Sequence, residues 1–102
     1  MIKNKLDKIK GYVGIAKRAK YVVFGADNLK GYTHKLYLVL YREDVSNTIQ
    51  KVLNELSSRN LPIIKLSIEE FNYIADTNNC KLLAIKNKGL SEQIINNIRS
   101  EF

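Results

Sequence analysis

Tryptophan is absent from this chain of 102 residues, and cysteine, proline and histidine occur once each. A lone Cys80 closes no internal disulfide, so the core has to hold the fold, and a reducing, cytoplasmic compartment is the default expectation. Cys80 with His34 falls short of the usual ligand count of a zinc site, and no metal is expected. One proline and five glycines do not make a disordered or low-complexity chain. No stretch approaches the roughly 18 apolar residues of a membrane span. The basic opening MIKNKLDKIKG is not followed by the apolar run and cleavage site of a secretory signal. There is no phosphate loop and no GxGxxG after a strand, so no nucleotide cofactor is expected. Glu69 and Glu70 are adjacent and point about 100° apart on a helix, so they are not a facing acid pair. A binding role is therefore the default, and no enzymatic activity is expected.

What is present is positive charge, unevenly spread. The net charge is +7, with ten Lys or Arg against two Asp in residues 1–42 and seven against eight acids in 43–102. Such asymmetry favours a polyanion, nucleic acid before membrane.

The length predicts one domain. Leu6, Ile9, Val13 and Ala16 recur at steps of three and four, which predicts an amphipathic helix. Gly11 and Gly14 weaken it by about 1 kcal/mol each, either as a tolerated cost or for close packing. Tyr21–Phe24 reads as a short strand ended by Gly25, with a short helix over 27–33 opened by Asp27 and Asn28. LYLVLY, 36–41, reads as a central strand buried on both faces. Asn47 with Gln50 resembles a capping box, with Ser46 as the alternative cap, before a helix to about Arg59. Pro62 leads into a strand over 63–66. Ser67 with Glu70 is a second capping box, opening a helix with Phe71 and Ile74 inward. DTNN, 76–79, is a polar loop, 82–85 the last strand, 87–89 a turn, and Leu90, Ile94 and Ile98 mark a final helix. This order predicts one four-stranded sheet with helices on both faces. Cys80 is expected to be a half-buried filler and His34 a surface residue. The six tyrosines do not follow the pattern of a base-stacking sheet.

The run Gly14-Ile15-Ala16-Lys17-Arg18-Ala19 followed by Val22-Val23-Phe24-Gly25 resembles the start of the small bacterial relatives of the kink-turn RNA-binding ribosomal proteins. That superfamily includes the archaeal ribosomal protein L-seven-Ae. LYLVLYREDVSNTIQKVLNEL, RNLPII at 59–64 and LLAIKNKGLSEQI at 82–94 are similar to its later segments in order, so the resemblance spans nearly the whole chain. It implies an α/β fold, a three-layer α/β/α sandwich around a four-stranded mixed sheet. It also implies non-catalytic binding of structured, bent RNA, ribosomal RNA included, with ribosomal or ribonucleoprotein partners and no cofactor.

In that family the RNA contacts gather at the glycine turn that opens the second helix. Gly25 matches the glycine, whose implied task is to bring backbone N–H groups close to RNA. Asp27 falls where asparagine is usual and Asn28 where glutamate is usual. The family lysine falls on Gly31, with Lys30 one residue early. Lys17, Arg18, Lys20, Lys30 and Lys35 are expected to supply phosphate contacts near this turn, which position RNA without reading sequence. Asp27 is alternatively a helix cap. A second implied contact region is the loop before the last strand, with Asn78, Asn79 and Lys81. Phe71-Asn72 stands where the family has leucine-glycine. Two other readings share the fold: a protein-interaction module, and an accessory RNA-binding domain working with an RNA methyltransferase, which would need a partner or a longer parent chain.

Overall fold

Residues of alternating face build the centre of the structure, a computed structural model that describes residues 3–77 and 79–99. The elements in chain order are α1 (Lys3–Arg18), β1 (Val22–Phe24), α2 (Ala26–Leu29), β2 (Leu38–Arg42), α3 (Asn47–Ser57), β3 (Ile63–Leu66), α4 (Ile68–Ala75), β4 (Leu82–Ile85) and α5 (Lys88–Arg99). The sheet order is β1-β4-β2-β3. β2 and β3 are parallel, while β4 runs antiparallel to both its neighbours, β1 and β2. The sheet is therefore mixed.

Successive strand residues point to opposite faces, and both faces are covered. Leu38, Leu40, Leu83 and Ile85 pack with Ile9, Val13 and Ala16 of α1, Phe71 and Ile74 of α4, and Ile94 and Ile98 of α5. Val39, Leu82 and Ala84 pack with Leu29 of α2 and Val52, Leu53 and Leu56 of α3. All four residues of β4 are buried. Two apolar layers on one sheet make a three-layer α/β/α sandwich, the architecture the helix and strand periodicities require.

Several boundaries differ from the sequence expectation. α2 spans only 26–29, because Gly31 adopts φ 71° and turns the chain out of the helix. Leu36 is buried in the core from the connection rather than from the strand, and ladder pairing of β2 starts at Leu38 with Ile85. The expected turn over 87–89 is instead a helix start. Asn87 Oδ1 accepts from the Leu90 N–H at 2.9 Å, a side-chain cap that lets Gly89 fall within the first turn of α5. Ser46, not Asn47, caps α3, accepting from the Ile49 N–H at 3.3 Å. The Ser67–Glu70 capping box forms with both bonds, at 3.1 and 3.0 Å. A Cβ added at Gly11 would meet nothing within 4 Å, and at Gly14 only the Arg18 side chain at 3.8 Å. Neither glycine is needed for close packing within the chain.

α1 ends in a Schellman motif. The Tyr21 N–H donates to Ala16 O at 2.8 Å and the Lys20 N–H to Lys17 O at 3.1 Å, with Lys20 left-handed at φ 63°. Glycine is the usual occupant of that position. Lys20→Gly is therefore expected to stabilise the fold by about 1 kcal/mol, measured by urea unfolding; an unchanged or lowered midpoint would contradict it.

Candidate nucleic-acid interface

The strand directions divide the connections between two ends of the sheet. β1, β2 and β3 run the same way and finish at one end, where Gly25, residues 43–46, Ser67 and the loop 76–81 lie. At this end is a cleft of about 440 Å³ lined by Gly25, Asp27, Asn28, Ser46, Ile49, Asn79, Cys80 and Lys81 among others. A second hollow of about 410 Å³ shares Gly25, Asn79 and Cys80 with it and adds Lys17, Phe24 and Thr77. The glycine turn and the loop before β4, some fifty residues apart in sequence, thus meet along one opening.

Gly25 is the hinge of this arrangement. Its φ of 84° and ψ of 153° lie in a region essentially reserved for glycine. Its own N–H is taken, donating to Leu82 O at 2.9 Å, which ties the turn to β4. This N–H is not free to meet RNA: the glycine shapes the turn, and its own amide completes the sheet. Gly25 is also the N-cap of α2, with no side-chain cap bond. Asp27 consequently does not cap the helix; it stands in the first turn with an exposed side chain at the cleft. Asn28 lines the cleft too, and its Nδ2 donates to Phe24 O at 2.8 Å.

The basic residues have diverse duties. Lys17 Nζ donates to Ala75 O at 2.9 Å, capping the C-terminus of α4, and lies 5.6 Å from the Phe24 ring centroid. Arg18 is exposed beside a neighbouring hollow shared with Lys17, Lys10 and Asp76. Lys81 Nζ donates to Asp44 O at 3.2 Å and pairs with the Asp44 carboxylate at 3.4 Å, so it is tied to the β2–α3 connection. Asn79 is exposed, its N–H bonded to Thr77 Oγ1 at 3.1 Å. Asn78 lies outside the described residues.

Two expected phosphate ligands, Lys20 and Lys35, do not gather at the glycine turn. Lys20 precedes β1 and Lys35 precedes β2, which puts both at the opposite end of the sheet. Lys30 is exposed on the connection leading there. Proximity in sequence misleads at Lys20 because β1, three residues long, carries the chain about 10 Å between it and Gly25.

Sequence reasoning missed a polar cluster at the cleft end. Arg42, the last residue of β2, is 8% exposed. Its Nε and Nη2 donate to the two Asp44 carboxylate oxygens at 2.6 and 3.0 Å, and its Nη1 to Asn72 Oδ1 at 2.9 Å. Hydrogen bonding from Arg42 holds the Asp44 carboxyl below its ordinary range against a burial effect, helped by the charges of Arg42 and Lys81. Asn72, at the position where the resembled family has a glycine, is thus an acceptor for a buried guanidinium. The only sequence signal was an acid two residues after the arginine that ends a strand. Burial pushes the Cys80 thiol up, which makes it a poor nucleophile at neutral pH. Among the described residues no cluster of His, Cys, Asp and Glu is placed to hold a metal, and no helix is long and apolar enough to cross a membrane. His34 is exposed and meets Tyr32 edge-on, ring centroids 5.5 Å apart.

No family model matches the chain, and no curated protein matches it. Among solved structures, a protein of unknown function from Bacillus halodurans is similar, with a TM-score of 0.71 and 19% identity over 90% of this chain and 97% of that one. The likeness extends across nearly all of both chains, and what it shows is a shared fold: a mixed α/β domain with a four-stranded sheet and five helices.

Proposed function

We propose that this chain is a non-catalytic, cytoplasmic RNA-binding protein that recognises bent RNA with a kink-turn-like internal loop, within a ribosomal or other ribonucleoprotein particle. The observation that carries the reading is the meeting of the Gly25 turn with the loop before β4 along one cleft. Regular A-form RNA hides its major-groove edges, so an internal loop or bend is where side chains can reach bases. Asp27 would accept from a base amino or imino group, with Asn28 and Asn79 as further polar contacts, while Lys17 and Arg18 approach the flanking phosphates. Two other acids of this end are already paired, Asp44 with Arg42 and Lys81, and Asp76 with Lys10 at 3.8 Å. Their charge is thereby offset where RNA would approach.

Asp27→Ala is the direct test, because the side chain is exposed and caps nothing. A hydrogen bond to a charged group contributes about 1.5–3 kcal/mol, so the variant is expected to bind an internal-loop RNA roughly 10- to 100-fold more weakly with an unchanged melting temperature. Titrations of a kink-turn RNA and a plain RNA duplex would read the effect. Equal affinity of the wild type for the two RNAs, or no binding at low salt, would overturn the reading.

A further inference from the structure

The excess positive charge does not sit at the cleft. Four connections meet at the opposite end of the sheet: 19–21, 30–37, 58–62 and 86–87. They contain Lys20, Lys30, Lys35, Arg59 and Lys86 and not one Asp or Glu. The connections at the cleft end, residues 25, 43–46, 67 and 76–81, hold Glu43, Asp44 and Asp76 against Lys81 alone. The connections at the two ends of one small sheet therefore differ in sign.

Backbone bonds set these cations in a row. The Lys86 N–H donates to Tyr21 O at 2.7 Å, and the Tyr37 N–H to Ile85 O at 2.9 Å. Lys86 thus stands between the approaches to β1 and β2. Lys35 Nζ lies 5.6 Å from the Tyr37 ring centroid. Lys35, His34 and Arg59 line a common hollow of about 520 Å³, and the Arg59 guanidinium donates to Tyr32 O, which holds it against the 30–37 connection. Four strands spaced about 4.8 Å apart make this row roughly 15 Å long. Lys20, Lys35 and Arg59 are exposed and Lys86 is half-buried.

Cations after helix C-termini often serve only to offset the helix dipole. Here α1, α2 and α3 end and α5 begins, each terminus carrying about half a charge, so the dipoles leave a net of about one negative charge. That is far less than the cations present, and Lys35 and Lys86 do not close any helix. Lys17 and Arg18 face the hollows beside the cleft, so the adjoining helical turns add only Lys88 on one side and Glu55 and Glu92 on the other, and a surplus of cations stands.

We propose that this end of the sheet is a second RNA-contacting surface, which holds the phosphate backbone of an A-form segment through Lys20, Lys35, Arg59 and Lys86 while the cleft holds the internal loop of another segment. The proposal rests on RNA being the partner. Contacts of this kind carry no sequence information, so the surface would take any regular RNA helix, and the protein would bridge two RNA segments.

The experiment is a salt series, from about 50 to 200 mM, of wild-type binding to a plain RNA duplex without an internal loop. It is compared with Lys20→Gln/Lys35→Gln/Lys86→Gln and with a control, Lys8→Gln/Lys51→Gln/Lys65→Gln, which removes equal charge elsewhere. Each lost phosphate contact lowers the log–log salt slope by about 0.9, so the first variant is expected to lose two to three units of slope and the control less than about one. Should the triple variant not fold, Lys35→Gln alone, in an exposed connection, is expected to lose about 0.9. Equal slopes for variant and control, or no duplex binding by the wild type, would overturn the surface. The bent-RNA preference measured in parallel reports on the cleft alone: its retention with unchanged slopes removes only the surface, and its absence with the expected slope loss removes only the cleft reading.

Discussion

Arg42→Ala is expected to lower the unfolding free energy by about 2–4 kcal/mol, a drop in melting temperature of roughly 10–30 °C for a domain of this size. The substitution removes three charge-assisted hydrogen bonds and a buried aliphatic stem from the end of the central strand. It also leaves Asn72 Oδ1 without its donor and Asp44 with only Lys81. Arg42→Met keeps most of the stem and loses the planar fork, so it should fall between the wild type and alanine. Thermal melts of the three proteins would check the order, and a loss under about 1 kcal/mol for alanine would mean that solvent satisfies this cluster as well as Arg42 does. The effect has a pH signature. The Asp44 carboxyl titrates lower in the folded chain than in the unfolded one, so its stabilisation is complete above the unfolded value of about 4 and fades as pH falls through the lower folded value. The gap between wild type and Arg42→Ala should therefore narrow below about pH 4 and hold steady above it.

Gly25→Val should cost about 1–3 kcal/mol, second in size to Arg42→Ala. A Cβ at this position meets no atom within 4 Å, so the penalty is one of backbone conformation and Gly25→Ala should carry most of it. The chain can relieve the strain by moving the turn, but then the Gly25 N–H leaves Leu82 O. Either outcome should also weaken the proposed binding of bent RNA, because the cleft is shaped at this hinge. Urea unfolding beside RNA titration separates the two consequences, and Asp27→Ala supplies the comparison that leaves the backbone alone. Full stability of Gly25→Val would mean that the turn adopts another geometry.

The helices and strands were legible in the sequence where periodicity was strong. Ile9, Val13 and Ala16 on one helix, the Ser67–Glu70 capping box and the apolar runs of β2 and β4 all read correctly, because each is set by local pattern. The boundaries that failed depend on features a local pattern does not carry: Gly31 turning the chain early, and the Asn87 cap drawing Gly89 into a helix. The candidate site was half legible. The Gly25 turn and the loop before β4 were each visible as separate segments, and the fold brings them together. The location of the cations was not legible, since which end of a sheet a connection occupies follows from strand order and direction. The Arg42–Asp44–Asn72 cluster was hidden for a related reason, as Asn72 lies thirty residues on and meets Arg42 only through the packing of α4.

The strand order has a consequence for how the molecule is assembled as it is made. β1 has a single neighbour, β4, and β4 is inserted between β1 and β2. Until residues 82–85 have left the ribosome, β1 has nothing to pair with and β2 has one open flank. The first four helices and three strands can gather around the parallel β2–β3 pair, but the sheet closes only when its second-last element slides between two strands made earlier. The Gly25 N–H receives its acceptor, Leu82 O, in that same step, so the cleft is completed late in synthesis, and chains released before residue 82 would present an unfinished sheet and no site.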